Sequence, residues 1–148
     1  SLDDAKREIE YGLGKCDVLK ISDNEVEFLF GTTDYDLGAK LLKEKYNIPL
    51  ILITMGPDGS RAYYKDMRVE VAPFLQENTI ETTGAGDTFC ASSLNYVLEH
   101  GLDDLTEENL KELLTFANAA ASLITTKKGA LKVMPEKEEV LAFIASRA

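Results

Sequence analysis

The residues with the most chemical content form one stretch, Glu81-Thr82-Thr83-Gly84-Ala85-Gly86-Asp87-Thr88-Phe89. Small side chains at Gly84, Ala85 and Gly86 let the backbone turn tightly and bare its N–H groups. A helix-like run, Asp87 to His100, follows, so those amides open a helix, where free N–H groups and the macrodipole favour an anion. Asp87 places a carboxylate beside that anion hole, and the positive helix end is expected to keep it ionised. An anion cradle next to a general base is what phosphoryl transfer to a hydroxyl requires. Alone, Gly-Ala-Gly-Asp reads more readily as a plain helix start with an acidic first turn. Its surroundings reverse that reading: a strand-like segment before it, Thr82 or Thr83 as candidate N-cap, and Ala91, Ser92 and Ser93 after it.

Three other places could contribute. Thr54-Met55-Gly56-Pro57-Asp58-Gly59 follows the apolar run Leu50 to Ile53. Ligands of open α/β sheets sit beyond the carboxyl ends of strands, and two glycines there would let backbone approach a nucleotide. A plain strand-to-turn connection explains the segment equally well. Ser22-x-x-Glu25, ahead of Val26, Phe28 and Leu29, has the pattern of a capping box. The sharper alternative is that Glu25 holds Mg²⁺ through water, since hard cations take carboxylate oxygen. Asn118 borders an unusually small helix face, Ala119 to Ala121, with Gly129-Ala130 downstream. An adenine ring could lie on that face beside Asn118; otherwise Asn118 is a tolerated polar helix residue. The lone histidine, His100, precedes Gly101 at a helix end, where it caps and carries no assigned chemistry.

Elements to position these groups are visible along the chain. Helices are expected at Asp3 to Leu13, Ser22 to Phe30 with Gly31 as the stop, and Tyr35 to Tyr46. Further helices follow Thr106, an N-cap flanked by a Leu105–Leu110 staple, and cover Glu136 to Ile144. Strands are expected at Val18 to Ile21, Leu50 to Ile53, Arg61 to Lys65, Arg68 to Val71 and Thr79 to Thr82. The unbroken Leu50 to Ile53 run suits a strand buried on both faces of a parallel sheet. Alternating strands and helices imply an α/β layered fold in one domain, residues 1–148.

Bulk properties narrow the function. At 45% hydrophobic residues the 148-residue chain is globular. A formal charge of −10 argues against nucleic acid or an anionic membrane as partner. An anionic ligand must then be held by local amides and metal. Cys16 and Cys90 have no metal-ligand spacing, and two thiols in a reducing cytoplasm is the expected reading. No apolar run approaches the roughly 20 residues of a membrane helix, and no signal peptide is visible. The start at Ser1, already in helix-like sequence, suggests a piece of something longer.

These motifs, in this order, resemble the C-terminal half of the PfkB (ribokinase-like) carbohydrate kinases, over nearly the whole chain. T-T-G-A-G-D-T-F is specific when T-M-G-P-D-G precedes it and A-N-A-A-A-S…K-K-G-A follows. K-I-S-D-N-E-V-E-F-L-F-G looks most like the fructokinase branch. The resemblance implies a three-layer ribokinase-like fragment, a mostly parallel sheet flanked by helices, without the N-terminal half and lid. It implies ATP-dependent phosphorylation of a sugar, with Asp87 as base and Gly84, Ala85, Gly86 and the Asp87 amide as anion hole. Thr54 to Gly59, including Gly56, would line the ATP site, with Asn118 by the adenine and Gly129 closing the pocket. Glu25 would organise Mg²⁺ through water.

This chain departs from the family pattern in places. Ser22 replaces a common asparagine; Glu81 replaces an aspartate next to a monovalent-cation site; Val133 stands where some relatives offer that ion a hydroxyl. The last two bear on K⁺. Family members are roughly twice this length. The sugar site is therefore expected to lie mostly outside this chain, leaving it little or no turnover and an exposed interface able to form a homodimer. Other readings stay open: a stand-alone nucleotide- or phosphate-binding module, or a kinase for 2-keto-3-deoxygluconate, ribose or a nucleoside.

Overall fold

Side-chain caps fix most of the helix starts. The computed structural model describes residues 1–74, 84–126 and 135–147. Ser1 Oγ accepts the Asp4 N–H and opens α1 (Leu2–Leu13), which leads into β1 (Val18–Ser22). Ser22 and Glu25 then exchange hydrogen bonds across the first turn of α2 (Asp23–Phe30), and Gly31 ends that helix in the left-handed conformation. Asp34 caps α3 (Tyr35–Tyr46), which ends at Asn47 and turns into β2 (Leu50–Thr54). A short 3₁₀ turn (Gly56–Asp58) reverses the chain into β3 (Ser60–Tyr64), and a two-residue turn leads to β4 (Met67–Val71). Three more helices follow among the described residues: α4 (Ala85–His100), α5 (Glu107–Ile124) and α6 (Lys137–Ser146). Thr106 caps α5 as expected, with Asn109 completing a capping box.

The described strands form one sheet in the order β1-β2-β3-β4. β1 and β2 run parallel, pairing Lys20 with Leu52 and Ser22 with Thr54. β2–β3 and β3–β4 are antiparallel. The α/β layering matches the sequence-based expectation, but the sheet is mixed where a mostly parallel one is expected. The reason is local: both connections after β2 are too short to hold a crossover helix, so each strand must return beside its predecessor. The strand expected at Thr79 to Thr82 lies outside the described residues.

β2 holds the layers together because alternate side chains enter opposite cores. Leu50 and Leu52 join Ala62, Tyr64, Phe89, Leu110, Leu113, Leu114 and Ala117 under α4 and α5. Ile51 and Ile53 join Ile21, Leu13, Val26, Ala39, Leu42 and Met55 under α1, α2 and α3. Burying both faces is what the four consecutive apolar residues Leu50 to Ile53 permit. Outside α5, α6 adds a small cluster in which Val140 meets Ala119 and Ala120 and the Phe74 and Phe143 rings lie 5.5 Å apart.

Candidate active site

The start of α4 faces the carboxyl end of β2. Gly84, at φ 87°, is the N-cap of α4 and uses no side chain to do it. This corrects the expected cap at Thr82 or Thr83, which lie outside the described residues. A left-handed residue is needed to turn the chain into the helix here, and glycine adopts that conformation without steric cost. The first helical bond runs from the Thr88 N–H to the Gly84 carbonyl, 2.9 Å. The amides of Ala85, Gly86 and Asp87 therefore precede the helical ladder and have no intrahelical acceptor. Asp87 is exposed in this first turn, and among the described residues its carboxylate meets no hydrogen-bond or ion-pair partner.

Opposite, the turn after β2 is held by its own backbone. The Met55 N–H donates to the Gly59 carbonyl at 2.8 Å, and the Gly59 N–H donates to the Gly56 carbonyl at 3.2 Å. Gly59 sits at φ 95°, so close to β4 that a β-carbon on it would lie 2.2 Å from the Val71 oxygen. The turn is thus pressed onto the end of β4, and only glycine fits there.

Between these two walls is a cavity of about 220 Å³. Thr54, Gly56 and Gly59 line one side, Ala85 and Gly86 another, and Asn118 of α5 a third. Six residues singled out from separate stretches of sequence thus share one space. Pro73, Phe89 and Ala121 complete the lining. Ala121 belongs to the small face expected to take an adenine and Phe89 ends the opening motif, whereas nothing in the sequence singled out Pro73. A roomier hollow of about 340 Å³ lies along the C-terminal half of α4, between Tyr96, His100, Phe116 and Leu141. Its lining includes Pro135 and Lys137 at the start of α6, but no glycine and none of the residues proposed to hold a nucleotide.

Asn118 is less free than expected. Its Oδ1 accepts from Ser60 Oγ at 3.0 Å, and its Nδ2 donates to the Ala72 carbonyl at 3.2 Å and the Val71 carbonyl at 3.5 Å. The amide therefore fastens α5 to the start of β3 and the end of β4. Both Nδ2 hydrogens are committed, leaving Asn118 a wall of the cavity whose donors face the protein.

Glu25 has the simpler of its two expected geometries. Its Oε2 accepts the Ser22 N–H at 2.7 Å, while its own N–H reaches Ser22 Oγ at 3.3 Å. One carboxylate oxygen remains open on an exposed side chain. No cluster of three acidic, cysteine or histidine side chains able to grip a metal occurs among the described residues. A magnesium ion that keeps its waters and leans on nucleotide phosphates asks only for such a single carboxylate, so the donor set fits. Gly129, Glu81 and Val133 lie outside the described residues. His100 does cap as expected, with Nδ1 3.0 Å from the Tyr96 carbonyl and its ring stacked on Tyr96.

One group near the loop has no place in the sequence-based picture. Lys20 is the only charged residue in β1, whose neighbours Leu19 and Ile21 pack toward α2 and α3. Strand alternation sends Lys20 to the opposite side, toward α4. There a β-carbon on Gly86 would lie 3.3 Å from Lys20 Nζ. A lysine inside an otherwise apolar strand was the signal that could have found it.

Comparison with known proteins bears on the family and the fold. The sequence profile described as pfkB family carbohydrate kinase matches residues 1–137. Fructokinase-2 of Solanum habrochaites is 34% identical over 148 residues, covering all of this chain and 45% of that protein. Fructokinase of Vibrio cholerae O395, solved with fructose, ADP and a calcium ion, superposes with a TM-score of 0.82 at 27% identity, over 96% of this chain and 45% of that one. Arabidopsis thaliana ribokinase, complexed with ribose and ATP, gives 0.73 at 27% identity, over 91% and 43%. The chain thus has a ribokinase-like fold and spans a little under half the length of these proteins.

Proposed function

The chain belongs to the pfkB family of carbohydrate kinases, and from that premise we propose that the protein it forms part of transfers the γ-phosphoryl group of ATP to a sugar hydroxyl, with fructose the favoured acceptor. The observation that carries this reading is the shared cavity of Thr54, Gly56, Gly59, Ala85, Gly86 and Asn118. It joins the carboxyl end of a buried strand to the N-terminus of a helix, two places where nucleotides and phosphates bind for independent reasons.

In this reading the triphosphate points at the α4 amides, the base lies toward Asn118 and Ala121, and Gly129 would close the pocket. Asp87 removes the proton as the sugar oxygen attacks the γ-phosphorus. One O–P bond forms, the bridge to the β-phosphate breaks, and ADP leaves. Little covalent work falls to the protein, because positioning and charge stabilisation carry most of this chemistry. Mg²⁺, when bound with the nucleotide, neutralises phosphate charge, and Glu25 would hold it through water. The K⁺ question rests on Glu81 and Val133. Free thiols at Cys16 and Cys90 suit a reducing cytoplasm. No helix among the described residues is long and apolar enough to cross a membrane.

Two measurements test the reading. Titration of the 148-residue chain with a non-hydrolysable ATP analogue and Mg²⁺ should show binding; none at millimolar nucleotide, with the chain demonstrably folded, removes the nucleotide site. A panel of fructose, ribose, 2-keto-3-deoxygluconate and a nucleoside on the full-length protein should give fructose the highest kcat/KM. Another acceptor in first place would keep the kinase and replace the sugar. The isolated chain should turn over little or none, because the sugar site needs the remaining length.

A further inference from the structure

Lys20 presents an electrostatic problem that the fold alone does not solve. Its ammonium reaches the first turn of α4, where a Gly86 β-carbon would stand 3.3 Å from Nζ. That turn is the positive end of a 16-residue helix, carrying roughly half an elementary charge. A cation set against the positive end of a dipole is repelled, and cations stabilise the opposite end. Among the described residues Lys20 takes part in no ion pair or hydrogen bond, Asp87 in the same turn included, although acidic residues outnumber basic ones 26 to 16 in the chain. The side chain is half-buried in an apolar strand, so extending into water does not explain its place either.

The conflict disappears when an anion lies between the ammonium and the α4 amides. Two positive arrangements that repel each other then both attract one group. Gly86 fits the same explanation, since a β-carbon there would crowd Nζ at 3.3 Å. Resting on the kinase reading above, we propose that Lys20 is a phosphate-contacting residue that grips the transferring γ-phosphoryl group from the β1 side, opposite the helix amides. It would supply the compact positive charge that developing negative charge on the phosphoryl oxygens needs. A chain of net charge −10 has to provide such charge locally.

Calorimetric titration of the 148-residue chain with AMP, ADP and a non-hydrolysable ATP analogue, each with Mg²⁺, tests this. The wild-type chain should gain about tenfold in affinity from ADP to the ATP analogue. Lys20→Met should abolish that gain and leave AMP affinity within about twofold, whereas Lys20→Arg should keep most of it. Gly86→Ala, which leaves the lysine but crowds its ammonium at 3.3 Å, should reduce the gain as well and guards against a Lys20→Met chain that fails to fold. A gain from ADP to ATP analogue unchanged in folded Lys20→Met overturns the proposal and leaves the kinase reading intact. Equal loss for all three nucleotides also overturns it, by showing a structural role. Absence of binding by the folded wild-type chain removes the kinase reading, and the Lys20 proposal with it.

Discussion

Asp87 and Glu25 show how position decides what a carboxylate can do. Glu25 spends one oxygen on the Ser22 amide, while Asp87 stands exposed and, among the described residues, unpartnered beside three N–H groups that precede the helical ladder. Asp87→Asn keeps the shape and removes the proton acceptor. In the full-length protein, kcat should fall by about 10²- to 10⁴-fold, with the KM for ATP little changed, in a coupled assay that varies ATP and sugar separately. Near-normal kcat would show that another group takes the proton. The loop and its base were legible in the sequence because their information is local, a run of small residues ahead of one acid. Asn118 was legible as a site residue but not as a committed one, because its partner Ser60 lies 58 residues away. Lys20 went unread for a similar reason. Its meaning depends on a helix whose start lies more than sixty positions later.

Elements whose ends carry their own chemistry were read closely: the Ser22 and Thr106 caps and the Gly31 stop all stand where the residue types place them. The sheet was harder, since strand patterning says where a strand runs but not which way its neighbour points. That direction rests on the Gly59 turn. An added methyl at Gly59 meets the Val71 carbonyl and forces a left-handed backbone on a side chain. Gly59→Ala should therefore lower stability by about 1–3 kcal/mol from backbone strain alone, read as a lower urea midpoint, and should weaken nucleotide binding in parallel. A stable variant with weakened binding would separate the turn's two roles. A second element-scale device ties α3 to the outer strands. The Tyr63 hydroxyl donates to Asp36, and Arg68 and Arg61 lie beside the same carboxylate. The Tyr63 bond first, against some desolvation, then Arg68 and Arg61, hold the Asp36 carboxyl below its usual range. A lowered folded pKa means that the stabilisation is complete above the unfolded value of about 3.9 and is lost as pH falls through the lower folded one. Asp36→Asn should flatten the acid end of a urea-midpoint profile and change nothing in its dependence on pH near neutrality. The effect should be small, because the carboxylate is half exposed and solvent screens it.

Across the whole molecule, the local site and the global field oppose each other. Net charge is −10, and a nucleotide with magnesium is itself an anion, so the long-range field repels the ligand that the α4 amides and Lys20 attract. These two contributions respond differently to salt. Charges separated by more than the Debye length of about 8–10 Å near physiological ionic strength are largely screened. Contacts at hydrogen-bond distance inside a partly enclosed cavity are screened much less. Added salt should therefore weaken the repulsion more than the grip. Binding of the ATP analogue with Mg²⁺ to this chain should stay level or tighten as KCl rises from about 20 to 150 mM, over which the Debye length falls to about 8 Å. A site held by a basic surface behaves in the opposite way, losing affinity steeply with salt. Calorimetry at fixed free Mg²⁺ distinguishes the two. A steep loss of affinity would mean that the phosphates are held by exposed lysines rather than by the mouth of α4, and would move the site away from Gly84, Ala85 and Gly86.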